Sequence, residues 1–251
     1  MAKSLSAIDR RLQGLLGKAI RHFEMIEAGD RVAVAVSGGK DSLALLYMLK
    51  ARLKWIPVRY ELLAVHLDMG FEGTFPLEIE RFCQDLNVPF HFERTAYGLE
   101  AHSPENRENP CFLCAWKRRK HLFQLSEPLN FNKLALGHNK DDLIETLFLN
   151  MFYSGELSTM MPRQSLFNQR LTLIRPLILI DEKEIKAFAR RKGFPELPNL
   201  CPSTGRSSRQ GIKEILNGLY AGNRKIKGNI FHALSHCRPE YLPSPLKKSR
   251  S

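Results

Sequence analysis

The chain has 251 residues, 43% of them hydrophobic, and a formal net charge of +12. That suits one α/β domain with an appendage, and no apolar run of about 18 residues or more is present to span a bilayer. The opening stretch, MAKSLSAIDRRLQGLLGKAI, lacks the apolar core and small-residue cleavage site of a secretory leader, so a cytoplasmic protein without membrane contact is expected.

The elements follow in chain order. Leu5 to Glu27 reads as an amphipathic helix, with Leu5, Ile8, Leu12, Leu15, Leu16 and Ile20 near one stripe and Gly29-Asp30 ending it. Arg31 to Val36 is a buried strand that stops at Ser37-Gly38-Gly39-Lys40-Asp41-Ser42, and a helix runs from Ser42 to Leu53. Arg59 to Asp68 is a strand, and Pro76 to Leu86 a helix with proline where its missing N–H costs nothing. Val88 to Thr95 is a short strand and Cys111 to Leu125 a basic helix. Lys133 to His138 is a strand, Asp141 to Tyr153 a helix, Leu171 to Leu177 a strand and Asp181 to Lys192 a helix. A loop rich in Pro, Ser and Gly, Phe194 to Ser208, leads into two helices and a basic tail, SPLKKSRS.

Strands alternating with helices predict an α/β fold with a doubly wound, Rossmann-like parallel sheet. The expected organisation is an N-terminal helix (1–28), a nucleotide-binding domain (29–193) and a basic C-terminal helical element (194–251). Ligands of such sheets bind beyond the carboxyl ends of the strands, where Ser37–Asp41, Leu67–Gly73 and Gly137–Asp141 fall.

The first of these loops carries the chemistry. Two glycines let the backbone turn its N–H groups outward as an anion nest, the helix N-terminus adds partial positive charge, and Lys40 adds a full one. The spacings of a Walker loop and of the GxGxxG fingerprint are both absent. A plain βα turn capped by Asp41 or Ser42 does not require Gly-Gly-Lys together. Asp68 ends its strand beside the loop. Gly137, His138, Asp141 and Asp142 come to the next crevice, where Asp142 is a candidate for Mg²⁺ on a pyrophosphate; the plain alternative is an acid offsetting the helix dipole.

The five cysteines are an odd number, which argues against a disulfide framework. Cys83 lies on an apolar stripe as a buried thiol, and Cys237 has no pattern. Cys111 and Cys114 form a CxxC with no second pair, and Cys201 stands far along the chain. Zinc, redox and cluster chemistry all remain open for this pair; three thiolates suit a four-iron cluster with one iron left free. The basic run Lys117 to Lys120, with Trp116 and His121, is a candidate RNA surface, as is the segment from Cys201 to Ser251, where ten Lys/Arg stand against Glu214 and Glu240.

Ser37–Ser42 resembles the SGGxDS signature of the PP-loop ATP pyrophosphatase superfamily. The order SGGKDS, CxxC, LALGHNKDDLIETLFLNMFYSGE, IRPL and a third cysteine resembles the tRNA 2-thiocytidine synthetase family from about Arg31 to Tyr241. That resemblance implies ATP, Mg²⁺ and a [4Fe-4S] cluster as cofactors and replacement of the C2 oxygen of cytidine 32 in tRNA by sulfur. It implies that Ser37, Gly38, Gly39, Lys40, Asp41 and Ser42 bind the pyrophosphate, that Asp68, Gly137 and Asp142 line the nucleotide site, and that Cys111, Cys114 and Cys201 ligate the cluster. The implied partners are tRNA and a sulfur donor of the cysteine desulfurase type, with a homodimer as the assembly to test. The family's His-His-Arg-Asp-Asp stands here as His138-Asn139-Lys140-Asp141-Asp142, and PSTGRSSRQG after Cys201 departs from its pattern. Rival readings are another PP-loop enzyme, such as a lysidine synthetase or a phosphoadenylylsulfate reductase, thiolation of another tRNA position, and a zinc-stapled RNA-binding module.

Overall fold

The computed structural model describes residues 6–205 and 208–243. Leu5 and the tail SPLKKSRS lie outside the described residues. Helix α1 (Ala7–His22) starts at a reciprocal cap, in which the Ser6 hydroxyl accepts from the Asp9 amide and the Asp9 carboxylate accepts from the Ser6 amide. Its buried stripe is Leu12, Leu16, Ala19 and Ile20. Strand β1 (Arg31–Ala35) buries Val32, Ala33 and Val34 in succession, as a central strand covered on both faces must.

The chain then alternates: α2 (Lys40–Arg52), β2 (Glu61–Asp68), α3 (Pro76–Asp85), β3 (Phe90–Arg94), a short α4 (Tyr97–Ala101), α5 (Pro110–Gln124), β4 (Lys133–Ala135), α6 (Lys140–Leu149), β5 (Arg163–Leu166), β6 (Leu171–Ile174) and α7 (Glu182–Lys192). Helices α8 (Ser208–Gly222) and α9 (Ile226–Ala233) follow. The six-stranded sheet has the order β3-β2-β1-β4-β6-β5. The order reverses between β1 and β4, which opens a crevice at their carboxyl ends. Among the described residues no helix is long and apolar enough to cross a membrane.

The sheet is parallel except at one edge, where β5 runs antiparallel to β6 with Arg163 opposite Ile174 and Leu166 opposite Leu171. The sequence gives no hint of β5, because Arg-Gln-Ser-Leu has no apolar alternation and an edge strand needs none on its open side. The expected helix to Tyr153 is α-helical only to Leu149; Asn150–Ser154 widens into a π-helical turn that closes at Gly155 with φ 66°. The strand expected to reach His138 leaves the ladder after Ala135, and Leu136 keeps one bond, donating to the Ile174 carbonyl at 2.9 Å.

Three apolar clusters hold these layers. The largest joins α1, α2, α3 and α7 to one face of the sheet through residues such as Leu16, Leu46, Ile79 and Phe188. A second, with Ala33, Val65, Leu122 and Phe131, seats α5 on the other face. A third, Ile144 with Ile212 and Leu216, binds α8 to α6, so the C-terminal element is anchored beside the crevice.

Candidate active site

The loop after β1 is built by its own serines. The Ser37 amide donates to Ser42 Oγ at 3.1 Å, and the buried Ser42 hydroxyl donates to the Gly39 carbonyl at 2.9 Å. Gly38 has φ 84°, and a Cβ there would come within 3.1 Å of Leu197 and 3.2 Å of Ile79. Gly39 is the N-cap of α2 and no side chain caps that helix. The first-turn amides, at the positive end of the helix dipole, are therefore available to an anion.

Lys40 Nζ lies 3.2 Å from Asp41 Oδ2 and 3.3 Å from Glu182 Oε1. Burial favours the neutral amine, but the charges of Asp41 and Glu182 outweigh it and raise its pKa. Asp41 also accepts from Asn139 Nδ2 at 3.2 Å, which ties the loop to the end of β4. Gly137 is packed against the same helix start: a Cβ would lie 3.0 Å from the Ser42 amide nitrogen and 3.1 Å from the Asp41 carbonyl carbon.

Asn139 and Asp142 cap α6 reciprocally; the Asn139 amide donates to Asp142 Oδ2 at 2.8 Å, and Asn139 Oδ1 accepts from the amides of Asp141 and Asp142. Burial, with the nearby charges of Asp41 and Glu182, raises the Asp142 pKa despite that cap and Arg209. Arg209 of α8 reaches Asp142 at 3.4 Å, Glu145 at 3.2 Å and Thr146 at 3.2 Å. Lys213 meets Glu182 at 2.9 Å, and Lys227 of α9 meets Asp141 at 2.6 Å. The C-terminal helices thus lay three cations over the acids of the crevice. Burial alone would raise the Glu182 pKa, but hydrogen bonds from Lys213 and Lys186 and the charges of Lys213 and Lys40 bring it down to about 2.

His138 is held neutral. Burial first, then the charges of Arg175, Arg209, Arg118 and Arg119, push its pKa down to about 3. Its Nδ1 accepts from Arg175 Nε at 3.2 Å. Asp68 is buried with both oxygens engaged: Oδ1 accepts from the Gly70 amide at 2.8 Å and Oδ2 from Thr74 Oγ1 at 2.9 Å. These bonds fix the loop that follows β2.

Cys111 and Cys114 sit in the first turns of α5, which is capped by Asn109 Oδ1 accepting from Cys111 and Phe112 amides. Burial raises the Cys114 thiol, Arg118 opposes it, and the charges of Cys201 and Cys111 add to it. Cys201 Sγ lies 3.9 Å from His102 Nε2, and Ser203 Oγ bonds the same nitrogen at 2.8 Å. His102 Nδ1 donates to the Gly98 carbonyl at 2.8 Å, which leaves Nε2 as an acceptor toward the Cys201 thiol. Cys83 is buried and its thiol is pushed up to about 12, while Cys237 is exposed.

One contact joins the segment of Cys201 to the loop: Leu197, four residues before Cys201, packs at Gly38. The charge of Arg118 acts on both Cys114 and His138. Asn139, Glu182, Arg209, Lys213 and His102 escape the reading of the sequence. Asn139 carries a legible signal, an Asx N-cap three residues before Asp142. The others meet the site only through tertiary packing.

The PP-loop domain family matches residues 6–195. The tRNA-cytidine(32) 2-sulfurtransferase of Citrifermentans bemidjiense is 40% identical over 245 residues, covering 96% of both chains. That of Geobacter sulfurreducens is 38% identical over 93% of this chain and 92% of its own, and that of Cellvibrio japonicus 40% identical over 94% and 78%. Among solved structures, the U34-tRNA thiolase NcsA from Methanococcus maripaludis, with its [4Fe-4S] cluster, superposes with a TM-score of 0.73 at 24% identity, covering 94% of this chain and 80% of that one. The NH3-dependent NAD synthetase of Campylobacter jejuni gives 0.51 at 17% identity over 97% and 100%. Both are likenesses of fold.

Proposed function

Because the chain belongs to the tRNA-cytidine(32) 2-sulfurtransferase family and carries its PP-loop domain, we propose that it converts cytidine 32 of tRNA to 2-thiocytidine with cleavage of ATP to AMP and pyrophosphate. The observation that carries this reading is the adjacency of two chemistries: a phosphate loop packed through Gly38 and Leu197 onto the segment bearing Cys201.

The loop residues Ser37 to Ser42 bind the β- and γ-phosphates with backbone amides, and Lys40 neutralises charge that develops as the α–β bond breaks. The base oxygen takes the adenylyl group and pyrophosphate departs. Asn139 bonds both Asp142 Oδ2 and Asp41 Oδ1, and two carboxylates brought to one side chain in this way fit a divalent cation, which binds through one or two carboxylates plus substrate phosphates. Mg²⁺ held there supplies positive charge to the leaving pyrophosphate. Gly137 lets β4 approach the loop, Asn139 orients Asp41, and Asp68 fixes the wall beside the nucleotide.

Cys111, Cys114 and Cys201, three free thiols none of which is buried, form a soft donor set that fits an iron-sulfur cluster. Among the described residues no three His, Cys, Asp or Glu side chains are grouped so as to hold a metal ion, and the ligand set is proposed on the chemistry of these thiols and on the family. Cys111, Cys114 and Cys201 would hold the cluster, and it would supply an iron able to carry sulfur. The incoming sulfur bonds to C2 as the C2–O bond breaks and AMP leaves with that oxygen. His102 Nε2 stands 3.9 Å from Cys201 Sγ, beside the third ligand. The sulfur donor in this reading is a cysteine desulfurase in the cytoplasm, and the assembly a homodimer.

The test is anaerobic reconstitution with ATP, Mg²⁺, an unmodified tRNA transcript and sulfide. The expected result is AMP release that depends on the tRNA, together with 2-thiocytidine. Absence of tRNA-dependent AMP contradicts the reading.

A further inference from the structure

A cavity of about 970 Å³ opens at the opposite end of the sheet from the phosphate loop. Its floor is formed where β1, β4 and β6 begin, at Arg31, Asn132 and Arg170, and one wall is the second half of α5. Asn132 braces the floor, since its Oδ1 accepts from the Arg31 amide at 2.8 Å and its Nδ2 donates to Asp30 at 2.7 Å.

The lining is cationic and aromatic. Arg119, Lys120 and Arg170 stand against one lining carboxylate, Glu127, and Arg31 is paired with Glu61 at 3.1 Å. Trp116 is 49% exposed and Phe167 57% exposed. Lys120 Nζ lies 5.2 Å from the Trp116 ring centroid, so it covers that ring from one direction. Phe167 is presented by an unusual turn: Phe167, Asn168 and Gln169 all have positive φ, at 52°, 52° and 69°. A bulky residue in the left-handed region is costly and persists where the surroundings hold it there. Phe123 does so, with its ring 5.7 Å from that of Phe167 in an edge arrangement.

Exposed ring faces beside a surplus of cations are the equipment of single-stranded nucleic-acid binding, in which bases stack on the rings and phosphates meet the charges. We propose that this cavity is a second RNA-contact site, which takes an unpaired stretch of the substrate RNA with its bases on Trp116 and Phe167 and its phosphates on Arg119, Lys120 and Arg170. The proposal rests on the RNA-substrate reading above and extends it away from the reacting base. Helix α5 connects the two places: Cys114 and Phe123 are nine residues apart on it, about 14 Å at helical rise. One RNA thus reaches both the thiols and the cavity. A second copy of the chain fits less well, since a two-fold interface here would set this cationic patch against itself.

The test compares wild type with Trp116→Ala, Phe167→Ala and the double variant Arg119→Ala/Arg170→Ala, with Lys18→Ala as a control on α1. An unmodified tRNA transcript is titrated by fluorescence anisotropy at several salt concentrations, with thermal unfolding and molecular mass measured alongside. Each aromatic variant is expected to bind about tenfold more weakly. The double variant's salt slope is expected to be shallower by about 0.7 per cation removed. In a Trp55→Phe background, oligouridine quenches the remaining fluorescence of Trp116. Surface variants that fold normally and bind tRNA as wild type does overturn the proposal and leave the substrate reading standing. Wild type that does not bind tRNA overturns both. Unchanged tRNA affinity with altered molecular mass makes the face a protein interface and also overturns it.

Discussion

Glu182 of α7 lies between two lysines, Lys40 of the phosphate loop at 3.3 Å and Lys213 of α8 at 2.9 Å. A carboxylate shared in this way links the nucleotide loop to the C-terminal helices. Lys40→Ala is expected to cut tRNA-dependent AMP release by about 10²-fold or more while the fold persists. Glu182→Gln removes the link at a cost of about 1 kcal/mol in stability. Thermal unfolding and AMP assays check both. A Lys40→Ala enzyme of unchanged turnover contradicts the role given to the loop.

Gly137→Ala places a methyl group at 3.0 Å from the Ser42 nitrogen, against backbone that has no flexible end to move aside. The expected outcome is a loss of about 1–3 kcal/mol and a raised KM for ATP, because the loop itself must shift. Calorimetry and ATP titration read the two effects. Gly193→Ala is the comparison: it meets no atom within 4 Å and strains only its own φ of 66°.

Much of this was legible in the residues. Ser37 to Ser42 announces a turn with exposed amides because a plain βα turn does not require Gly-Gly-Lys together. The alternation to Lys192 specifies the sheet for the same reason that β1 is buried on both faces. Strand β5 was not legible, since its partner β6 and the left-handed turn at Phe167 hold it in place without any apolar pattern of its own. The cations over the crevice escaped too. Arg209, Lys213 and Lys227 look like a solvated basic surface until packing of Ile212 and Leu216 on Ile144 turns them inward. For Asp142 the residues offered a helix acid or a metal site, and the structure displays the cap directly while leaving the acid crowded by Asp41.

Substitution of Cys111, Cys114 or Cys201 by Ser is expected to abolish iron binding and thiolation with ATP binding retained. Cys83→Ala is the contrast, because its thiol is buried in the apolar core; it is expected to keep full iron content and lose about 1–2 kcal/mol of stability. Iron and sulfide analysis with the visible absorption spectrum separates the two groups. Full iron content in all three serine variants contradicts the ligand set.

The pH response has a defined direction. Folded His138 titrates at about 3 against an ordinary 6.5, so between those values the unfolded chain binds a proton that the folded chain refuses. Stability is expected to fall as pH drops from about 6.5 toward 3. Glu182, lowered to about 2 from 4.5, adds its loss only below about 4.5. Denaturant unfolding of His138→Gln across this range is expected to flatten the upper part of the slope and leave the lower part.

The central claim is thiolation of cytidine in tRNA, and mass spectrometry of nucleosides from total tRNA, with and without this gene, tests it most directly. The account predicts that 2-thiocytidine disappears when the gene is absent and returns with the intact chain but not with a Cys201→Ser copy. Persistence of 2-thiocytidine in the absence of the gene contradicts it.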